Sequence, residues 1–134
     1  MEFSFRRRFG TIAEAMSWSA PPTPEEALAS WERFVLECVD GYSSGYFEYT
    51  HDIAVRGLLQ AALDDSEIMQ SFDYVRFNEA VGSVDGKFRT VLDSGFVVVS
   101  DATKWWLDRI PGFGCPDYVA DVFELFGRNA TERW

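Results

Sequence analysis

Apolar and polar positions along this chain alternate mostly at helical intervals. The clearest stretch follows Thr23: Leu28, Trp31, Val35, Cys38, Val39 and Tyr42 fall on one helical stripe. Thr23 suits an N-cap, Pro24 the first helical position and Glu26 the third, a capping box with proline in its favoured place. Gly41 and Gly45 terminate this first helix. A second helix is expected from near Thr50, burying Val55, Leu58, Leu59, Ala62 and Leu63 until Asp64-Asp65-Ser66 stops it. Ser66 caps a third, with Ile68, Phe72 and Val75 on one side. Val81, Val84, Phe88, Val91 and Leu92 continue the pattern, so residues 66–92 form one long helix or two. Gly82 and Gly86 weaken the middle by about 1 kcal/mol each relative to alanine; four apart, both can face a close neighbour.

Asp93-Ser94-Gly95 reads as a turn. Phe96-Val97-Val98-Val99 is the one β-like run, either a buried connector or an edge strand paired with Phe3-Ser4-Phe5. Ser100 is expected to cap a short helix through Trp105, Trp106 and Leu107, closed by Pro111. After a glycine-rich loop, Pro116 opens the last helix, with Val119, Val122, Phe123 and Phe126 on one face and Gly127 as its stop. Residues 1–22 read as an arm with a single helical turn at Ile12–Met16, and residues 128–134 as a loose polar tail. The expected architecture is all-α: one domain over residues 23–127, an irregular bundle of about five helices.

Composition changes this picture little. The chain has 134 residues, 47% apolar and 25% charged, long enough to bury a real core. Aromatics are abundant, at 16%. Charge changes it more. The net charge is −10, with −9 carried by residues 25–73, against +1 over residues 1–24 and −2 over residues 74–134. Such a field repels nucleic acid and anionic lipid and attracts a basic protein surface. No apolar run is long enough to cross a membrane, and the segment after Arg6-Arg7-Arg8 is too short and polar for a signal peptide. A cytoplasmic protein is therefore expected, with no nucleic-acid or membrane partner. Cys38 and Cys115 read as free thiols. A single histidine excludes multi-histidine metal sites, and phosphate-binding and nucleophile-elbow motifs are absent, so no cofactor or metal is expected.

Candidate chemistry concentrates around residues 37–52. His51 with Asp52 and Glu48 is the place where histidine and carboxylates cluster, and a carboxylate-oriented histidine can act as a general base. A lone histidine at a helix start more often faces solvent. The segment from Asp40 to Tyr49 joins four aromatics, two acids and glycine-serine punctuation, a composition suited to a contact surface and equally to a plug between helices. Glu37, Asp40, Tyr42, Tyr46, Glu48 and Tyr49 are the candidate partner-binding residues. Trp31 reads as core. Trp105 and Trp106 point about 100° apart, one inward and one partly exposed. Asp85 with Arg89, and Asp52 with Arg56, read as salt bridges one helical turn apart.

Through Trp31-Glu32-Arg33-Phe34-Val35, Gly41-Tyr42, the EYxxDxxVR segment at residues 48–56, the DxxFR segment at residues 85–89 and the pair Trp105-Trp106, the chain resembles a group of small, acidic, uncharacterised bacterial proteins. In size, charge and helical character it is also similar to immunity proteins of bacterial toxin systems. That likeness implies a non-enzymatic inhibitor whose acidic, aromatic face covers a basic partner. The other expectations are a homodimeric accessory protein, the chain being a monomer or a homodimer, and a hydrolase or lyase using His51 with a carboxylate.

Overall fold

The computed structural model of the protein describes residues 2–99 and 103–134. Helix α1 spans Phe3–Ala15, α2 Pro24–Asp40, α3 Tyr46–Asp52, α4 Ala54–Leu63, α5 Ser66–Met69 and α6 Tyr74–Leu92. Strand β1 (Phe96–Val97), helix α7 (Trp105–Asp108), strands β2 (Arg109–Ile110) and β3 (Phe113–Gly114), helix α8 (Pro116–Phe126) and strand β4 (Thr131–Glu132) complete it. The protein is mostly helical.

Helix α2 is the axis. Its capping box forms: the Thr23 side chain accepts from the Glu26 N–H at 3.1 Å, and the Thr23 N–H donates to the Glu26 carboxylate at 2.9 Å. The Thr23 N–H, and after it the Thr23 hydroxyl, hold the Glu26 carboxyl below the usual carboxylate range. Its buried face is Ala27, Trp31, Phe34, Val35 and Cys38, rotated from the expected stripe so that Phe34 turns in and Val39 out. This face packs on α6 and α4. Helix α6 is a single helix whose inner face carries Phe77, Val81, Val84, Asp85, Phe88, Val91 and Leu92. Gly82 and Gly86 look into open space rather than onto a neighbour.

The largest departure from the sequence reading is at the N-terminus. Residues 3–15 are a helix and not an arm, because Phe5, Phe9 and Ala13 recur every four residues and bury one face against α4 and α5. The ring of Phe77 meets Phe5 and Phe9 edge-on, at 5.2 and 6.2 Å. Arg8 reaches across to Asp65 at 2.7 Å. Phe3-Ser4-Phe5, being helical, pairs with no strand. Instead β1 pairs antiparallel with β2.

Smaller corrections follow the same logic. The second expected helix begins earlier, at Tyr46, and is jointed at Ile53 into α3 and α4. Asp65, not Ser66, caps α5. Phe72 and Val75 lie outside the core, since the chain turns between α5 and α6. Phe123 is exposed and Val119 half-buried, because α8 turns Tyr118 and Val122 inward instead. The expected cap Ser100 lies outside the described residues. The tail is held: β4 runs parallel to β3, and Tyr42 bridges to Gly114. Gly41 makes this possible. Its φ of 111° suits glycine, and a Cβ there would strike the Arg133 backbone.

Candidate functional site

The residues singled out from sequence separate into two environments. Tyr42 and Tyr49 are buried, so their rings do not form a contact surface. Tyr42 donates its hydroxyl to Asp52 at 2.7 Å and lies edge-on to Tyr49. Tyr49 sits among Phe34, Tyr42, Tyr46 and Tyr118, and its hydroxyl has no hydrogen-bond partner among the described residues. Burial pushes both phenols far above their ordinary pKa, and the Asp52 carboxylate adds to the shift at Tyr42. Tyr46 is half-buried, stacked on Tyr49 and edge-on to Phe126. Glu37 is half-buried and accepts from the Ser43 hydroxyl. Asp40 and Glu48 are exposed.

What emerges instead is a ridge formed by α3. Tyr49 anchors the helix inward, which turns Phe47 and His51, one turn apart, outward. Phe47 is 78% exposed, a large apolar ring held in water. A groove lies on each side. One, of about 440 Å³, runs between α3 and α8 and is lined by Tyr46, Phe47, Thr50, Asp121, Glu124 and Leu125. The other, of about 250 Å³, lies toward α2 and contains Arg33, Glu37, His51 and Asp52. Carboxylates therefore flank the ridge on both sides. Asp121 is locked in place by accepting the Tyr46 N–H at 2.9 Å. The Asp121 and Glu48 carboxylates both crowd the bare Cα of Gly45: a Cβ there would lie 2.6 and 3.1 Å from them. Sequence reasoning missed Phe47 as the exposed ring and missed Asp121, Glu124 and Leu125. The signal was there, since Phe47 falls two residues off the buried Tyr49, whereas Tyr46 falls one turn from it.

His51 is 3.6 Å from Asp52 through Nδ1, too long for an orienting hydrogen bond, and its side chain is 82% exposed. The Cys38 thiol is pushed up by burial, which suppresses the nucleophilic thiolate. Among the described residues no group of histidine, cysteine and carboxylate side chains has metal-site geometry, and no helix is long and apolar enough to cross a membrane.

A second constellation is internal. Asp85 does not pair with Arg89, nor Asp52 with Arg56, as the helical spacing suggested. Asp85 takes Arg56 in a two-pronged pair, at 2.9 Å from Nε and 2.8 Å from Nη2, and accepts the Trp31 indole N–H at 3.0 Å. Trp106, buried, lies under the guanidinium at 4.7 Å, while half-buried Trp105 is covered by Arg89 at 3.9 Å. No protein family, curated protein or solved structure matches the chain.

Proposed function

We propose that the protein is a binding module of the inhibitor or immunity kind, whose α3 ridge docks on a basic surface of a partner protein. The observation that carries this is Phe47, held outward between two carboxylate-lined grooves. An exposed aromatic on a short anchored helix contributes apolar contact at low entropy cost. Glu48, Asp121 and Glu124 around it supply charge complementary to lysine and arginine, which speeds encounter and selects against acidic partners. Tyr46 contributes its edge; Tyr42 and Tyr49 support the ridge from beneath. The test is capture by the tagged protein from lysate of its own organism, at low and moderate salt. The expected result is one basic protein held in both conditions by the wild type, with affinity reduced roughly 30-fold by Phe47→Ala and unchanged by Phe72→Ala. Undiminished affinity of Phe47→Ala, or capture that moderate salt abolishes, overturns the reading.

A second apolar patch favours self-association. Phe3, Met69, Phe72 and Val75 are exposed at the end of the molecule where α1 and α6 begin and α5 ends. A homodimer built on this patch shows in light scattering as a doubled mass that Phe72→Glu restores to the monomer.

A further inference from the structure

The α2-side groove differs in kind from the ridge, because it mixes charges of both signs over an apolar floor. Phe34 and Val55 form the floor, and Trp18 and Pro22, from the α1–α2 connection, the wall. Arg33, Glu37 and Asp52 stand around the opening. Arg33 and Glu37 are one turn apart on α2, where opposite charges ordinarily pair. Here they do not. Glu37 is engaged by the Ser43 hydroxyl and Asp52 by the Tyr42 hydroxyl, both neutral donors, and the exposed His51 on the same lining lies 3.6 Å from the other Asp52 oxygen. Arg33 makes no ion pair or hydrogen bond among the described residues. A cation and two fixed carboxylates thus face the same cavity with their charges unanswered by one another.

We propose that this cavity binds a free α-amino acid with an apolar or aromatic side chain. The ammonium sits at Glu37 and Asp52, the carboxylate meets the Arg33 guanidinium, and the side chain lies against Trp18 and Phe34. A simple organic cation leaves its positive end beside Arg33, and a simple anion meets two carboxylates; a zwitterion satisfies both signs at once. The volume, about 250 Å³, suits a ligand below drug size. The half-open, solvated setting keeps affinity modest, with a Kd on the order of 0.1–1 mM.

The test is titration of the full chain with L-phenylalanine and L-leucine, followed by amide NMR shifts and calorimetry. The expected result is saturable binding, with shifts confined to residues 18–22, 30–37 and 51–55. Arg33→Gln, N-acetyl-phenylalanine and phenethylamine each weaken it about 10-fold or more, and Phe47→Ala leaves it unchanged. Three results overturn the proposal. One is no saturation by either amino acid up to about 10 mM. Another is phenethylamine binding as tightly as phenylalanine, which makes the site one for organic cations. The third is binding of a peptide amino terminus without binding of the free amino acid. Because Phe47→Ala separates the two sites, failure here leaves the docking ridge standing, and failure there leaves this cavity standing.

Discussion

Arg56 and Asp85 carry opposite charges in an otherwise apolar interior. Each is almost wholly buried, and the Trp31 indole shares the same carboxylate. One guanidinium nitrogen, Nη1, has no hydrogen-bond partner among the described residues, and the guanidinium carbon lies 4.7 Å from the centre of the Trp106 ring. Two desolvated charges offset one another here, so removing one partner costs more than the pair contributes. Asp85→Asn keeps an acceptor for Trp31 but leaves the guanidinium uncompensated, and is expected to destabilise by about 3 kcal/mol or more. Arg56→Met in the same background should recover most of that loss. Urea denaturation of the two single variants and the double variant checks this; additive losses would show that the two charges do not act as a pair. A milder case lies at the surface. The Arg8 hydrogen bond, with the Ile68 N–H, holds the Asp65 carboxyl below its ordinary range. A lowered folded-state pKa means stability present above the unfolded value and lost as pH falls through the folded one. The deficit of Asp65→Asn relative to wild type should therefore be full near neutrality and shrink below about pH 4, in thermal melts run across that window.

Among elements, α2 was legible because its signals agree: cap, proline, acidic first turn and a long stripe. Helix α1 was not, although Phe5, Phe9 and Ala13 are as regular, because three consecutive arginines and Gly10 dilute the pattern and a solvated arginine face resembles an arm. Helix α3 shows the converse limit. Its aromatic wealth was visible, but which rings turn in depends on where the helix begins, and that is set by Gly45 and by Asp121, some 75 residues away. The Asp85–Arg56 pair was hidden for the same reason, since each residue has a plausible partner one turn off in its own helix. The tyrosine plug beneath α3 carries an alkaline signature. Tyr42, Tyr49 and Tyr118 all have raised pKa values, chiefly from burial. A raised folded-state value gives stability that is complete below the unfolded pKa of about 10 and declines above it. Phenolate absorbance from these rings should therefore appear together with loss of helical circular dichroism, not before it. Ionisation of all five tyrosines in a chain still helical would contradict the burial.

At the scale of the molecule the charge is strongly negative. Residues 25–73, which supply α2 to α5, carry −9 of the net −10, and two of the three α1 arginines pair with that segment, Arg6 with Glu25 and Arg8 with Asp65. Under the proposed docking role, the acidic field would speed encounter with a basic partner, and Phe47 would set how long it stays. The two contributions separate kinetically. Glu48→Lys with Glu124→Lys should slow association several-fold at low salt, flatten its dependence on ionic strength and leave dissociation nearly unchanged. Phe47→Ala should do the reverse, raising the dissociation rate with little change in association. Surface plasmon resonance with the captured partner, run at several salt concentrations, reads both rates. If the charge reversals act on dissociation alone, the carboxylates are contact groups in the bound state, and the acidic field steers nothing.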